Sequence, residues 1–169
     1  KSQVARSDRV KFLGMTIVGG TIAISHKALQ AAMVKVKELT PRGTHLTLET
    51  SIERINSWYV GWSGYFAMTS YPAQLHKIEA HIRRRLRSRL VDQQKSRRNL
   101  FRKLIKRGVP RRQAARAVFS NKGRWALSNT FAVTRAYPVG WFVGEMGQAI
   151  RSHKQLPHWV DVDRWIRLT

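Results

Sequence analysis

The chain has 169 residues, 43% hydrophobic and 9% aromatic, which is enough apolar material for one folded domain or two small ones. It has no cysteine, which excludes disulfides, thiolate catalysis and cysteine-type zinc sites, and no apolar run near the roughly 20 residues of a membrane helix. Lys and Arg number 32 against 9 Asp and Glu, a formal net charge of +23 whose self-repulsion needs a polyanionic partner: nucleic acid first, an anionic membrane surface second.

Residues 10–25 read as a β-hairpin. Val10, Phe12, Met15, Ile17 and Val18 lead into Gly19-Gly20, and Thr21 to Ile24 return. Ser25 then caps a helix over 26–39 with the stripe Leu29, Ala32, Met33 and Val36, broken by Pro41-Arg42-Gly43. In the next helix Leu48, Ile52, Ile55, Tyr59, Trp62 and Phe66 recur at steps of four and three, within roughly 80° of arc. Trp62 and Phe66 are therefore expected in the core. Thr47 or a Thr50–Glu53 capping box starts this helix. Gly61 and Gly64 lie on its opposite face and suggest a kink or a close backbone approach.

A third helix opens at Pro72 and buries Leu75, Ile78, Ile82, Leu86 and Leu90. Lys77, Arg84 and Arg87 point away from that stripe, so replacing Arg84 and Arg87 is expected to leave the fold intact. Arg83 and Arg85 flank the stripe, and Arg89 falls close to it. A bend is expected near 91–94; helical spacing resumes with Leu100, Phe101, Leu104 and Ile105 and stops at Gly108. Pro110 opens a short helix ending near Phe119. Short helices follow near 131–136 and 139–150, and Trp159–Asp163 alternates like a strand.

The charge is concentrated. Lys and Arg number 7 in residues 1–40, 2 in 41–76, 16 in 77–116 and 7 in 117–169, and the third block holds only Glu79 and Asp92 as acids. A solvated helix face normally interleaves acids with its bases, so this block reads as a phosphate-binding surface. Its candidate contacts are Lys77, Arg83, Arg84, Arg85, Arg87, Lys95, Arg97, Arg98, Arg102, Lys103, Lys106 and Arg107. Arg dominates, and its planar fork matches phosphate oxygens better than Lys does. Trp58 and Tyr65, to one side of the apolar seam, are candidates for base stacking.

No catalytic or metal-ligating set stands out. The histidines are scattered, no Walker loop is present, and the one close carboxylate pair is Asp161/Asp163. Two-metal phosphoryl transfer needs converging carboxylates, so a nuclease built on that pair is a minor rival.

Several motifs resemble group II intron reverse transcriptases. Lys11-Phe12-Leu13-Gly14 followed by the Gly-Gly hairpin resembles their last palm motif. Leu48-Glu49, Ile55-Asn56 and Gly61-Trp62-Ser63-Gly64-Tyr65-Phe66 are similar to their maturase-specific thumb motif, and Ile82–Arg87 to the arginine-rich helix that follows. Gly108-Val109-Pro110 and Gly123-Arg124-Trp125 resemble their DNA-binding region. The resemblance runs from residue 1 to about 147, with Val60 standing where the family has Arg.

It implies a mainly α fold: the end of a palm at 1–25, a helical thumb bundle at 26–108 and a C-terminal DNA-binding-like module at 109–169. The implied partners are intron RNA, an RNA/DNA template–primer duplex and target DNA, with no membrane, in a cytoplasmic, nucleic-acid-associated protein of bacterial type. The family's Tyr-x-Asp-Asp motif, fingers and Cys/His endonuclease domain do not occur in the sequence. A non-catalytic fragment without a cofactor of its own is therefore expected, magnesium belonging to the parent RNA-directed DNA polymerase. The rival from another class is a stand-alone basic RNA-binding or assembly protein.

Overall fold

Two pairs of left-handed residues shape the start of the computed structural model, which describes residues 11–143. Strands β1 (Lys11–Phe12), β2 (Met15–Val18) and β3 (Thr21–Ile24) form an antiparallel meander in the order β1-β2-β3, with Lys11 opposite Thr16 and Met15 opposite Ile24. Gly19 and Gly20 take φ of 56° and 80°, the positive pair that a two-residue hairpin turn requires. The single leading strand expected over 10–18 is instead broken at Leu13-Gly14, where φ is 49° and 81°. Leu13 is held in this unfavourable region by long-range packing: its carbonyl accepts the Tyr65 hydroxyl at 2.8 Å. Gly14 is tightly placed, because a Cβ there would lie 3.3 Å from the Phe66 ring.

Helix α1 (His26–Leu39) starts as its sequence requires, with the Ser25 hydroxyl accepting the Ala28 N–H at 3.2 Å. It buries Ala32 and Val36 and closes with the Thr40 hydroxyl on the Val36 carbonyl at 2.7 Å. Helix α2 (Leu48–Tyr65) starts immediately after Thr47 and buries Leu48, Ile52, Ile55 and Tyr59, with Phe66 buried just beyond its end. Trp62 is the exception in that seam. It is half-buried against the cluster of Met15, Ile24 and Phe66, because an indole is too large for that small cluster to enclose.

Helix α3 (Pro72–Asp92) takes Pro at its first position and buries Ile78, Ile82, Leu86 and Leu90; Leu75 is half-buried. Before it, the turn after α2 runs along the outer edge of β3. Ser70 donates its N–H to the Ile22 carbonyl at 2.8 Å, and its hydroxyl accepts the Ile22 N–H at 3.3 Å. The Gln74 side-chain amide accepts from Ile24 N–H at 2.8 Å and donates to Ile24 carbonyl at 2.9 Å.

The expected bend follows Asp92, with Lys95 at a φ of 51°. Helix α4 (Arg97–Lys106) is capped by the Ser96 hydroxyl, which accepts Asn99 N–H at 3.1 Å. It ends in a Schellman motif: Gly108, at a φ of 78°, donates to Ile105 carbonyl and Val109 to Leu104 carbonyl. Short helices α5 (Arg111–Val118), α6 (Arg124–Leu127), α7 (Phe131–Ala136) and α8 (Val139–Val143) complete the described chain. They bury Ala114, Ala117, Val118, Leu127, Val133, Ala136, Tyr137, Trp141 and Phe142. Helix α6 is unforeseen in sequence, one turn being too short to show a period.

The architecture is mainly α, with eight helices after a small sheet among the described residues. Those residues form two compact units, 11–41 with 50–81 and 42–49 with 82–143. Among the described residues no helix is long and apolar enough to cross a membrane. The strand expected at Trp159–Asp163, and the part of the last expected helix beyond 143, lie outside them.

Candidate nucleic-acid interface

The arginine-rich block divides by where its charges go. Arg84 donates Nη2 to the Trp125 carbonyl at 3.3 Å and lies 4.1 Å over the Trp125 ring. Arg87 donates Nε to the Tyr137 carbonyl at 2.9 Å and lies 5.7 Å from the Phe142 ring. Burial, with Arg83 repelling it, pushes the Arg87 guanidinium down to about 10. Arg89 is half-buried and donates to the Leu46 carbonyl, which explains how a cation tolerates the edge of the apolar stripe. Burial lowers it, with Glu49 opposing. Arg97 reaches the Val118 carbonyl at 2.6 Å and the Ser120 carbonyl. Arg107 donates to the Ala136 carbonyl at 3.3 Å.

Three of the recipients share a property. Val118 and Ala136 are the last residues of α5 and α7, and Tyr137 caps α7. Helix C-terminal carbonyls lack intrahelical donors and carry partial negative charge, so a guanidinium satisfies both needs at once. Arg87, Arg97 and Arg107 therefore join short helices that could not hold themselves. The expectation that Arg84 and Arg87 are dispensable for the fold is corrected by these bonds. The α3 stripe is flanked by packed chain on more sides than its apolar residues alone disclose.

Other members of the block remain outside. Arg98, Arg102 and Lys106 recur every fourth residue on α4, opposite buried Leu100 and Leu104, and all three are exposed. None has a carboxylate or hydrogen-bond partner among the described residues. Lys77 and Lys95 are also exposed, Arg83, Arg85 and Lys103 half-buried, and burial lowers Arg85 with Arg42 adding repulsion. Exposed Arg111, Arg112 and Arg116 on α5 escaped the sequence-derived set; their place outside the apolar face of Ala114, Ala117 and Val118 was the available signal.

The thumb-motif residues are placed as follows. Phe66 is buried, Tyr65 is exposed with its hydroxyl on Leu13, and Asn56 is buried with its Oδ1 unpaired among the described residues. A Cβ at Gly61 or Gly64 would meet nothing within 4 Å, and α2 runs unbroken through both. The expected kink or close backbone approach is therefore absent among the described residues, and this glycine face is open. Trp58 is half-buried and lies 5.9 Å from Trp62, ring to ring. Gly123 precedes α6 in extended conformation, and Trp125 lies under Arg84. Phe12 belongs to β1.

In the first unit, the Tyr59 hydroxyl donates to Oε1 of Glu79 at 2.9 Å, and Glu79 is 2% exposed. No group of three or more His, Asp or Glu side chains able to hold a metal ion occurs among the described residues. Asp161 and Asp163 lie outside them.

A helical bundle with a cationic helix and a Gly-Trp face suits the class of proteins that act on structured intron RNA. Residues 29–108 match the family model of the group II intron, maturase-specific domain. Residues 29–108 thus correspond to a maturase-specific domain, the maturase and thumb region of such proteins, which implies a role in intron splicing. A search of curated proteins returns no match to the chain.

Proposed function

We propose that the chain is the nucleic-acid-binding thumb and maturase region of a group II intron-type reverse transcriptase. It holds intron RNA and the RNA/DNA template–primer duplex, and the module at 109–169 meets target DNA. The thumb spans 26–108 and the hairpin at 1–25 ends a palm whose magnesium site belongs to the parent polymerase. The observation that carries this reading is the exposed row of Arg98, Arg102 and Lys106, which has no carboxylate or hydrogen-bond partner among the described residues and lies within the maturase-specific segment.

Such a row neutralises phosphates without reading base edges. A-form RNA suits it, since that helix shows proteins its backbone and a shallow groove. With about 5–8 phosphates neutralised, affinity for structured intron RNA falls about 10³–10⁴-fold between about 50 and 200 mM salt. Arg98→Ala/Arg102→Ala lowers the magnitude of the salt slope by about two units and weakens intron RNA and an RNA–DNA hybrid alike in a gel shift. Unchanged affinity and slope would remove α4 from the interface.

A further inference from the structure

The last turn of α4 and the segment joining α7 to α8 enclose a groove of about 810 Å³, within the span of about 300–1,000 Å³ typical of small-ligand sites. Lys103, Lys106, Arg107 and Arg135 line it, and no Asp or Glu does so among the described residues. The α4 carbonyls that could offset these cations are already engaged: those of Lys103, Leu104 and Ile105 accept from Arg107, Val109 and Gly108. Lys103 and Lys106 have neither a carboxylate nor a hydrogen-bond partner among the described residues.

Arg107 is fixed in place by its bond to Ala136 and by the rings of Tyr137 and Trp141, 4.5 and 4.8 Å away. Trp141 lines the groove, is only 8% exposed, and its buried indole N–H has no acceptor among the described residues. A buried donor left unpaired points to a missing acceptor.

We propose that this groove, which shares Lys106 with the exposed α4 row, binds the phosphomonoester end of a nucleic acid strand, a step beyond the thumb reading above. Two features select that ligand. Arg107 covers the aromatic faces, leaving no platform for a base, so the groove reads phosphate. Four cations gathered in one recess exceed what a single-charged diester needs and suit a monoester carrying about −1.5 to −2.

The test is fluorescence anisotropy of the full chain with 5′-phosphorylated and 5′-hydroxyl strands of one sequence. At about pH 7.5 the phosphorylated strand binds about tenfold more tightly. That preference fades towards about pH 5, because the monoester loses its second charge near pH 6. Among the described residues no histidine or carboxylate lines the groove to titrate there, and burial raises the neighbouring Tyr137 phenol away from that range. Arg135→Ala, at an exposed position outside the α4 row, reduces the preference and leaves hydroxyl-strand binding, which reports that row, unchanged. Lys103→Ala/Arg135→Ala removes the preference, read as the ratio of the two strands' affinities, which an equal loss for both strands would not change. Equal affinity for the two strands at pH 7.5, or a preference untouched by these substitutions, overturns the proposal. So does erasure of the preference by inorganic phosphate at the strand's own concentration, which would assign the groove to the free ion.

Discussion

Replacing Arg87 with Ala separates an arginine that joins helices from one that meets phosphate. The substitution removes a charge-assisted bond to the Tyr137 carbonyl, a loss of about 1.5–3 kcal/mol. It also removes a ring contact with Phe142 at 5.7 Å, worth about 0.5–1 kcal/mol. Relief of burial and of repulsion from Arg83 offsets part of this. The net expectation is a loss of about 2–3 kcal/mol, or about 4–12 °C in Tm for a chain of this size. Circular-dichroism melting measures it, with RNA affinity then taken at a temperature where both proteins are folded. Arg87→Lys restores only part of the loss, because a lysine keeps the charge but not the directed Nε–H. Arg98→Ala/Arg102→Ala gives the reverse pattern: a shift in stability within about 0.5 kcal/mol and weakened RNA binding. An Arg87→Ala protein that melts like the parent while its salt slope falls by about one unit would refute the reasoning, and Arg87 would then be a phosphate contact.

Tyr59→Phe takes one hydrogen bond from the buried Glu79 carboxylate and should cost about 1.5–3 kcal/mol in chemical denaturation; a neutral result would show that the bond contributes nothing net. Gly14→Ala places a methyl at 3.3 Å from the Phe66 ring with φ at 81°; a destabilisation of about 1–2 kcal/mol is expected, and a parent-like Tm would mean that the β1–β2 turn rearranges freely.

The parts of the fold that follow from local periodicity and capping were legible. Leu48, Ile52, Ile55 and Tyr59 announce the buried face of α2 through spacing alone, Ser25 announces the start of α1, and Gly108 the end of α4. What depends on a distant partner was not. Nothing around Leu13 signals a left-handed residue, because the group that steadies it is a hydroxyl 52 positions away. The same holds for the arginines. On α3 and α4 the sequence marks a dense cationic block, but Arg87 and Arg98 look alike until the Tyr137 carbonyl, 50 residues beyond Arg87, is in place. Clustered charge thus marks one stretch of the chain, while the division between internal and outward arginines required tertiary structure.

The outer edge of β3 is closed by side chains and a turn rather than by a fourth strand. Ser70 and Gln74 occupy the outward N–H and carbonyl groups of Ile22 and Ile24. An open edge is a template on which a second polypeptide can add a strand and start aggregation. On the proposed function, copies gathered on one RNA would bring that edge close to others of its kind, and each copy presents an edge with no vacant pairing groups at Ile22 and Ile24. The single glutamine amide reproduces one residue's worth of ladder and leaves Ile24 no free backbone group for an incoming strand.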